Sequence, residues 1–395
     1  MDLHISTKLS IPPTRANLLA RPHLYRQLNR LRHHKLLLVS APAGFGKTTL
    51  LSAWCGQSVW PVAWVSLDAA DNDPVRFWSY VTAALATFDA TIDQHILPLI
   101  RAPRPSPVDQ LIPMLVDAAT RIPDHVVIVL DDYHGIEAGA IHASLTNLLD
   151  YLPPTTHLIL SSWVDPPLPL ARWRARGDLL EVRAADLRLS VAETERLFTQ
   201  ASGLNLSQEG ITDLQRRTEG WVAGLHLLAL AAEQQPDVVG TTRLQDLGGD
   251  HRYIADYLAS EVLHQQPEPI HAFLLQTAIL DTLNGSLCDA VTERSTSQAI
   301  LEQLRQRDLF ITALNNKGDY RYHQLFADFL RAQLQRHPCY DQQALHLRTA
   351  DWYEQHGDLG VLCGGRPSPR GGSARLGAAV PRRPGARVRA AGLQR

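Results

Sequence analysis

The stretch "SAPAGFGKTTLLSAW" at positions 40–54 constrains this chain more than any other. It follows the apolar run "KLLLV", and its last residues return to helical spacing. A strand that passes through two glycines and a lysine into a helix fits the phosphate-loop pattern G-x-x-x-x-G-K-[ST], here Ala41 to Thr48. Each chemical need can be matched to a residue. Backbone N–H groups of Ala43, Gly44, Phe45 and Gly46 converge on an anion, with the two glycines keeping that backbone unhindered. The helix begun by Lys47, Thr48 and Thr49 points its N-terminus at the same place. Lys47 supplies a positive charge for β and γ phosphates, and the Thr48 hydroxyl can ligate Mg²⁺. Ala41 replaces the first glycine of the pattern, which alanine can do if its φ stays negative. The competing reading is a chance glycine-rich turn, and the strand–loop–helix order weighs against it.

A second motif supports the first. "VVIVLDDYH" carries Asp131 and Asp132 at the carboxyl end of an apolar strand, the edge where open α/β sheets hold ligands. Asp131 is assigned to Mg²⁺ and Asp132 to activating water. Further short apolar runs at "VAWVSL" (62–67) and "THLILSS" (156–162) alternate with helical stretches, which predicts a parallel sheet flanked by helices. Asp73 and Pro74 read as N-cap and first helical position of one such stretch. Asp68, Asp71 and Asp73 resemble a metal cluster, but capping in a solvated loop accounts for them better. Arg172, Arg174 and Arg176 could meet a neighbouring subunit's phosphates, with a solvated face as the default.

Beyond about residue 185 the strand signal fades. Ser190 and Glu193 have capping-box spacing. "LQRRTEGWVAGLHLLALAAEQ" (214–234) reads as one long helix, and 307–334 as helix end, hairpin around "NNKGD" and helix, a winged-helix pattern. From Val361 to Arg395 there are eight arginines and no lysine, acid or aromatic residue. Such a segment cannot bury a core, and its composition reads as out-of-frame translation rather than a nucleic-acid tail. A net charge of −2 excludes a global positive field for nucleic acid. The four cysteines lack metal-ligand spacing. With no signal peptide and no membrane-length apolar run, the expected setting is the cytoplasm, without a membrane partner.

Seven separated motifs, "TKLSIPPTRANLLARPHL", "SAPAGFGKTTLLSAW", "WVSLDAADNDPVRFWSYVTAAL", "VIVLDDYHGI", "DPPLPLARWRARGDLLEVRAADLRLS", "TEGWVAGLHLLAL" and "YRYHQLFADFLRAQL", occur in order. Over about residues 5–359 the chain resembles the nucleotide-binding half of MalT-like, LuxR-family transcription regulators, which are STAND-class ATPases. In that family Ala or Ser commonly opens the loop, so Ala41 conforms. The resemblance implies an N-terminal segment (1–34), a P-loop domain (35–185), a helical domain (186–245), a winged-helix domain (246–335) and the start of a superhelix (336–359), ahead of a disordered tail (360–395).

It further implies an ATP/ADP switch with Mg²⁺ and slow hydrolysis, and self-association through the nucleotide-binding domain. DNA binding would belong only to a full-length relative that carries the inducer-sensing superhelix and helix-turn-helix. Arg21 falls where the class places a residue near adenine, or else is a surface arginine. His323 matches a winged-helix histidine that meets the ADP β-phosphate, or else is structural. Gly220-Trp221 falls at a ligand-facing helix start, with a core tryptophan as the favoured alternative. Trp163 stands where the family carries a nucleotide-sensing arginine, which puts hydrolysis in question. The alternatives are a non-functional truncated fragment and a self-sufficient P-loop ATPase or kinase. A cut superhelix would leave an apolar face uncovered and lower solubility.

Overall fold

The computed structural model describes residues 6–14, 18–100, 108–122, 124–202, 206–234, 252–307, 309–315, 318–337 and 339–356. The sheet forms where apolar runs are bounded by glycine, proline or acid. A short helix α1 (Pro22–Leu28) precedes β1 (Leu36–Ser40), and the phosphate-loop sequence then leads into α2 (Lys47–Cys55). There follow β2 (Val62–Ser66), α3 (Pro74–Leu85), α4 (Val108–Arg121), β3 (Val126–Asp131), α5 (Gly139–Tyr151), β4 (Thr156–Ser162), α6 (Leu170–Arg176) and β5 (Leu179–Arg183). The strands pair in parallel in the order β2-β3-β4-β1-β5.

Both faces of this sheet are buried, as the unbroken apolar runs require. Leu36, Leu38, Ile128, Leu130, Leu158 and Leu160 face one layer, with Phe77, Trp78, Leu115 and Leu145 of α3, α4 and α5 in the same core. The alternate residues Leu37, Val39, Val127, Val129 and Ile159 are equally buried on the other face. The strand β5 is additional to the four runs that the sequence reading picks out. It lies at the sheet edge and its outer positions carry Glu181 and Arg183, so its apolar run is broken.

Capping at α3 is as expected: Asp73 accepts from the Arg76 N–H at 2.8 Å, with Pro74 in the first turn. Asp68 and Asp71 form a capping box, and Lys8 of the N-terminal segment lies between their carboxylates. Among the described residues no cluster could hold a metal ion through three His, Cys, Asp or Glu side chains.

The second half is helical: α7 (Val191–Ser202), α8 (Gln208–Thr218), α9 (Val222–Gln234), α10 (Arg252–Leu258), α11 (Glu268–Thr277), α12 (Gly285–Thr292) and α13 (Ser297–Gln306). The antiparallel hairpin β6 (Ile311–Ala313) and β7 (Tyr320–Tyr322) follows, then α14 (Gln324–Arg336) and α15 (Gln342–His356). The hairpin and its flanking helices give the winged-helix arrangement. The capping box forms, with Glu193 N–H on Ser190 Oγ and Ser190 N–H on Glu193 Oε2.

One expectation is corrected here. The long helix over 214–234 is two helices. Glu219 (φ 48°) and Gly220 (φ 75°) are left-handed and break the α-helical path. A Cβ on Gly220 would come within 2.6 Å of the Leu189 carbonyl, so the chain turns there only because the residue is glycine.

The fold divides into a unit Met1–Thr349 and a second from Ala350 onward. Of the second unit, the described residues are the last turns of α15, where Trp352 stacks on His356. The expected tail (360–395) and its expected disorder lie outside the described residues, as does 235–251. Among the described residues no helix is long and apolar enough to cross a membrane.

Candidate nucleotide site

The sheet places β1, β4 and β3 side by side, so their carboxyl ends share one edge. The phosphate loop leaves β1, and Asp131 closes β3. Ala41 is fully buried and its N–H donates to the Ser162 carbonyl at 3.2 Å, which continues the β1–β4 ladder into the loop. A small side chain suits that enclosed place, and the loop forms without the first glycine of the pattern.

Gly44 (φ 78°) and Gly46 (φ 79°) turn the loop through left-handed backbone. Lys47 is 5% exposed, and its Nζ donates to the carbonyls of Ala41 (2.7 Å) and Pro42 (3.0 Å). Burial pushes this lysine down to about 8, with Asp132 and Asp131 acting against the shift. Thr48 Oγ1 donates to Asp131 Oδ2 at 2.9 Å across the end of β4. Asp131 is buried, and its other oxygen, Oδ1, has no hydrogen-bond partner among the described residues. A buried carboxylate oxygen without a donor, beside a threonine hydroxyl, fits a divalent cation.

Asp132 lies beside this pair on a left-handed backbone (φ 58°). Burial and the Asp131 carboxylate raise it to about 6, against Lys47. His134 stacks on Trp163, ring centroids 3.9 Å apart, with its Nδ1 3.8 Å from Asp132 Oδ1. Burial and Lys47 push His134 down to about 4, so it is neutral near pH 7. The indole of Trp163 thus occupies the end of β4 with an aromatic stack and offers no cation there.

Two further candidate residues are engaged by protein groups. Arg21 is 8% exposed. Its guanidinium donates to Glu193 Oε1 (3.0 Å) and to the carbonyls of Leu187 (2.7 Å) and Arg188 (2.8 Å). These bonds tie α1 to the start of α7. His323 is buried, with Nε2 2.8 Å from the Thr218 carbonyl and Nδ1 without a partner among the described residues. Burial holds its pKa below the ordinary histidine value, with Glu219 and the Thr218 carbonyl opposing. The arginines of α6 are engaged by acids: Arg172 by Asp150 (2.7 Å) and Arg174 by Glu181 (2.8 Å).

Sequence reasoning offered a ligand-facing helix start at Gly220-Trp221 only through the family resemblance and favoured a core tryptophan, so it did not foresee the hydrogen bonds from α9 to the loop. Trp221 is fully buried, as the core reading has it, yet its Nε1–H donates to the Ala43 carbonyl at 3.2 Å. Ala223 N–H donates to the Gly44 carbonyl at 2.9 Å. The "TEGW" break was the available signal, because a helix restarted at Val222 aims its first N–H groups at whatever lies beyond its N-terminus.

Comparison with known proteins bears on the fold and the family. Residues 259–341 match the MalT winged helix domain. The HTH-type transcriptional regulator MalT of Yersinia enterocolitica is 30% identical over 88% of this chain and 38% of its own length. Over most of its length this chain is similar to part of the MalT regulators. The serine/threonine-protein kinase PknK of Mycobacterium tuberculosis is 29% identical over 87% of this chain and 31% of its own. The chain therefore spans less than two fifths of these relatives' length. A Walker-type ATPase of Pyrococcus abyssi superposes with a TM-score of 0.56, covering 82% of this chain and 99% of that one at 16% identity. That likeness establishes the P-loop ATPase fold. The matching segment is shared by a transcriptional regulator and a protein kinase, so the activity of either whole protein does not transfer with it.

Proposed function

We propose that this chain is the ATP/ADP-binding switch module of a MalT-like, LuxR-family regulator. Domain limits are 35–185, 186–245 and 246–335, with 336–359 opening a superhelix. The observation that carries the reading is the Thr48–Asp131 hydrogen bond beside the buried, unpartnered Asp131 Oδ1. Thr48 and Asp131 would hold Mg²⁺, which supplies charge neutralisation to the β and γ phosphates when bound. Ala43 to Gly46, Lys47 and Thr49 orient those phosphates through backbone N–H groups and the lysine charge. Lys47 must exchange its two carbonyl partners for phosphate oxygens, and a charge-assisted bond favours that exchange. The Asp132 carboxylate accepts a proton from the attacking water. Trp163 supplies no cation to the transferring phosphoryl group, so hydrolysis is slow compared with binding. Arg21 is assigned to the adenine side and His323 to the β-phosphate; Arg21 also ties α1 to the start of α7, and His323 also holds the Thr218 carbonyl. The module works in the cytoplasm and self-associates through its nucleotide-binding domain; DNA binding belongs to a full-length relative rather than to this chain.

Calorimetric titration with Mg-ATP and Mg-ADP tests the reading. The chain should bind both, and Lys47→Ala should weaken binding at least about 100-fold through loss of a buried charge-assisted bond. A folded chain that binds neither would show a vestigial site and favour the non-functional fragment. Trp163→Arg should raise turnover at least about tenfold while leaving the dissociation constant for ADP within a few fold. Turnover unchanged by that substitution would remove Trp163 from the account.

A further inference from the structure

We infer that Trp221 and Ala223, outside the loop sequence, are positioning residues that aim the phosphate loop's N–H groups. The inference rests on the nucleotide reading above. A trans peptide is planar, and its carbonyl and N–H point in opposite directions. Anchoring the carbonyl of one residue therefore fixes where the next residue's N–H points. Trp221 Nε1–H holds the Ala43 carbonyl at 3.2 Å, so the Gly44 N–H points away from the indole. Ala223 N–H holds the Gly44 carbonyl at 2.9 Å, so the Phe45 N–H points away from α9. These two N–H groups are among those that a phosphate requires.

The fit is close enough to exclude any side chain at position 44. A Cβ there would lie 2.7 Å from Trp221 Nε1, 2.7 Å from Ala223 Cβ and 2.9 Å from Tyr257 Oη. Glycine at this position thus serves the docking of α9 as well as the turn of the loop. The anchor is itself held rigid. Trp221 is fully enclosed, with Tyr257, Phe310 and His323 rings at 5.7, 5.2 and 6.3 Å. The turn before it is pinned by His323 on the Thr218 carbonyl and by Arg321 on Glu219 at 2.7 Å. A preorganised loop pays less to order its N–H groups when the anion arrives. The helical half is therefore a working part of the phosphate site.

Two substitutions remove the anchoring bonds selectively. Trp221→Phe keeps an aromatic ring in the core and deletes the donor. Ala223→Pro deletes the other donor at a first-turn position where a helix tolerates proline. Ala223→Gly, which keeps the N–H, is the rescue control. Binding of Mg-ADP is read by calorimetry, and folding by far-ultraviolet circular dichroism. Trp221→Phe should weaken binding by about 3- to 10-fold and Ala223→Pro by at least about tenfold, with Ala223→Gly within twofold of the parent. If Trp221→Phe fails to fold, the Pro/Gly pair at 223 decides. Folded variants that all bind like the parent overturn the inference and leave the nucleotide reading intact. A parent chain that binds no nucleotide overturns both.

Discussion

On the sheet side of the phosphate loop, partners are near in sequence or fixed by strand register. Lys47 reaches back six positions to the Ala41 carbonyl, and Asp131 at the end of β3 meets Thr48 in the first turn of α2 across the end of β4, which lies between β3 and β1. On the helical side, Trp221 reaches the loop from 178 positions away, through one bend at Glu219–Gly220. The difference is one of mechanical dependence. The sheet can hold its half of the site with the helical region altered. The helical half of the site fails with a single backbone turn.

Breaking that turn gives the largest expected effect. Gly220→Ala forces a left-handed alanine and a Cβ 2.6 Å from the Leu189 carbonyl. It should cost about 2–4 kcal/mol in chemical denaturation and weaken Mg-ADP binding as well. Loss of stability with unchanged binding would break the comparison.

The matching cut on the sheet side is Lys8→Met. Lys8 is 8% exposed between Asp68 and the fully buried Asp71; burial opposes its charge, but the two carboxylates hold its pKa above the ordinary value. Removing it leaves Asp71 with Arg76 as its remaining ion-pair partner and should cost about 2–3 kcal/mol. This cluster follows β2, which β3 and β4 separate from β1 in the sheet, and none of its side chains is a proposed phosphate or Mg²⁺ ligand, so nucleotide affinity should stay within a few fold. A large fall in affinity would show that the sheet half is less independent than claimed.

Much of the sheet half was legible in the sequence. Four of five strands are unbroken apolar runs, and the phosphate loop and Asp131–Asp132 are local patterns. Asp73–Pro74 and Ser190–Glu193 announce their helix starts. What remained hidden has one physical cause: contacts between residues far apart leave no period. Arg21 carries no mark of its bond to Glu193, and nothing around Trp221 signals an indole N–H on Ala43. The α8–α9 break was obscured because apolar spacing continues on both sides of Gly220. The pairing of β6 with β7 and the following helix were readable because turn residues and amphipathic spacing are local.

A smaller effect compares the two halves by pH. His157 lies at the base of the sheet, against the His34 carbonyl and His125, and His323 lies at the helical turn. Burial lowers both pKa values, so the fold holds them neutral. The unfolded chain binds their protons near pH 6.5, so stability falls as pH drops below that value. Each contributes at most about 1.4 kcal/mol per pH unit. Denaturation midpoints at pH 7.5 and 5.5 should differ less in His157→Gln and in His323→Gln than in the parent. An unchanged difference in either variant would remove that histidine from the acid sensitivity.

The most direct test of a site built from both halves is hydrogen–deuterium exchange with and without saturating Mg-ADP. The account predicts slower exchange across 41–48 and, in the same complex, across 218–225, where Trp221 and Ala223 hold the loop carbonyls. Protection confined to the loop and the end of β3, with 218–225 exchanging as in the free chain, would contradict it.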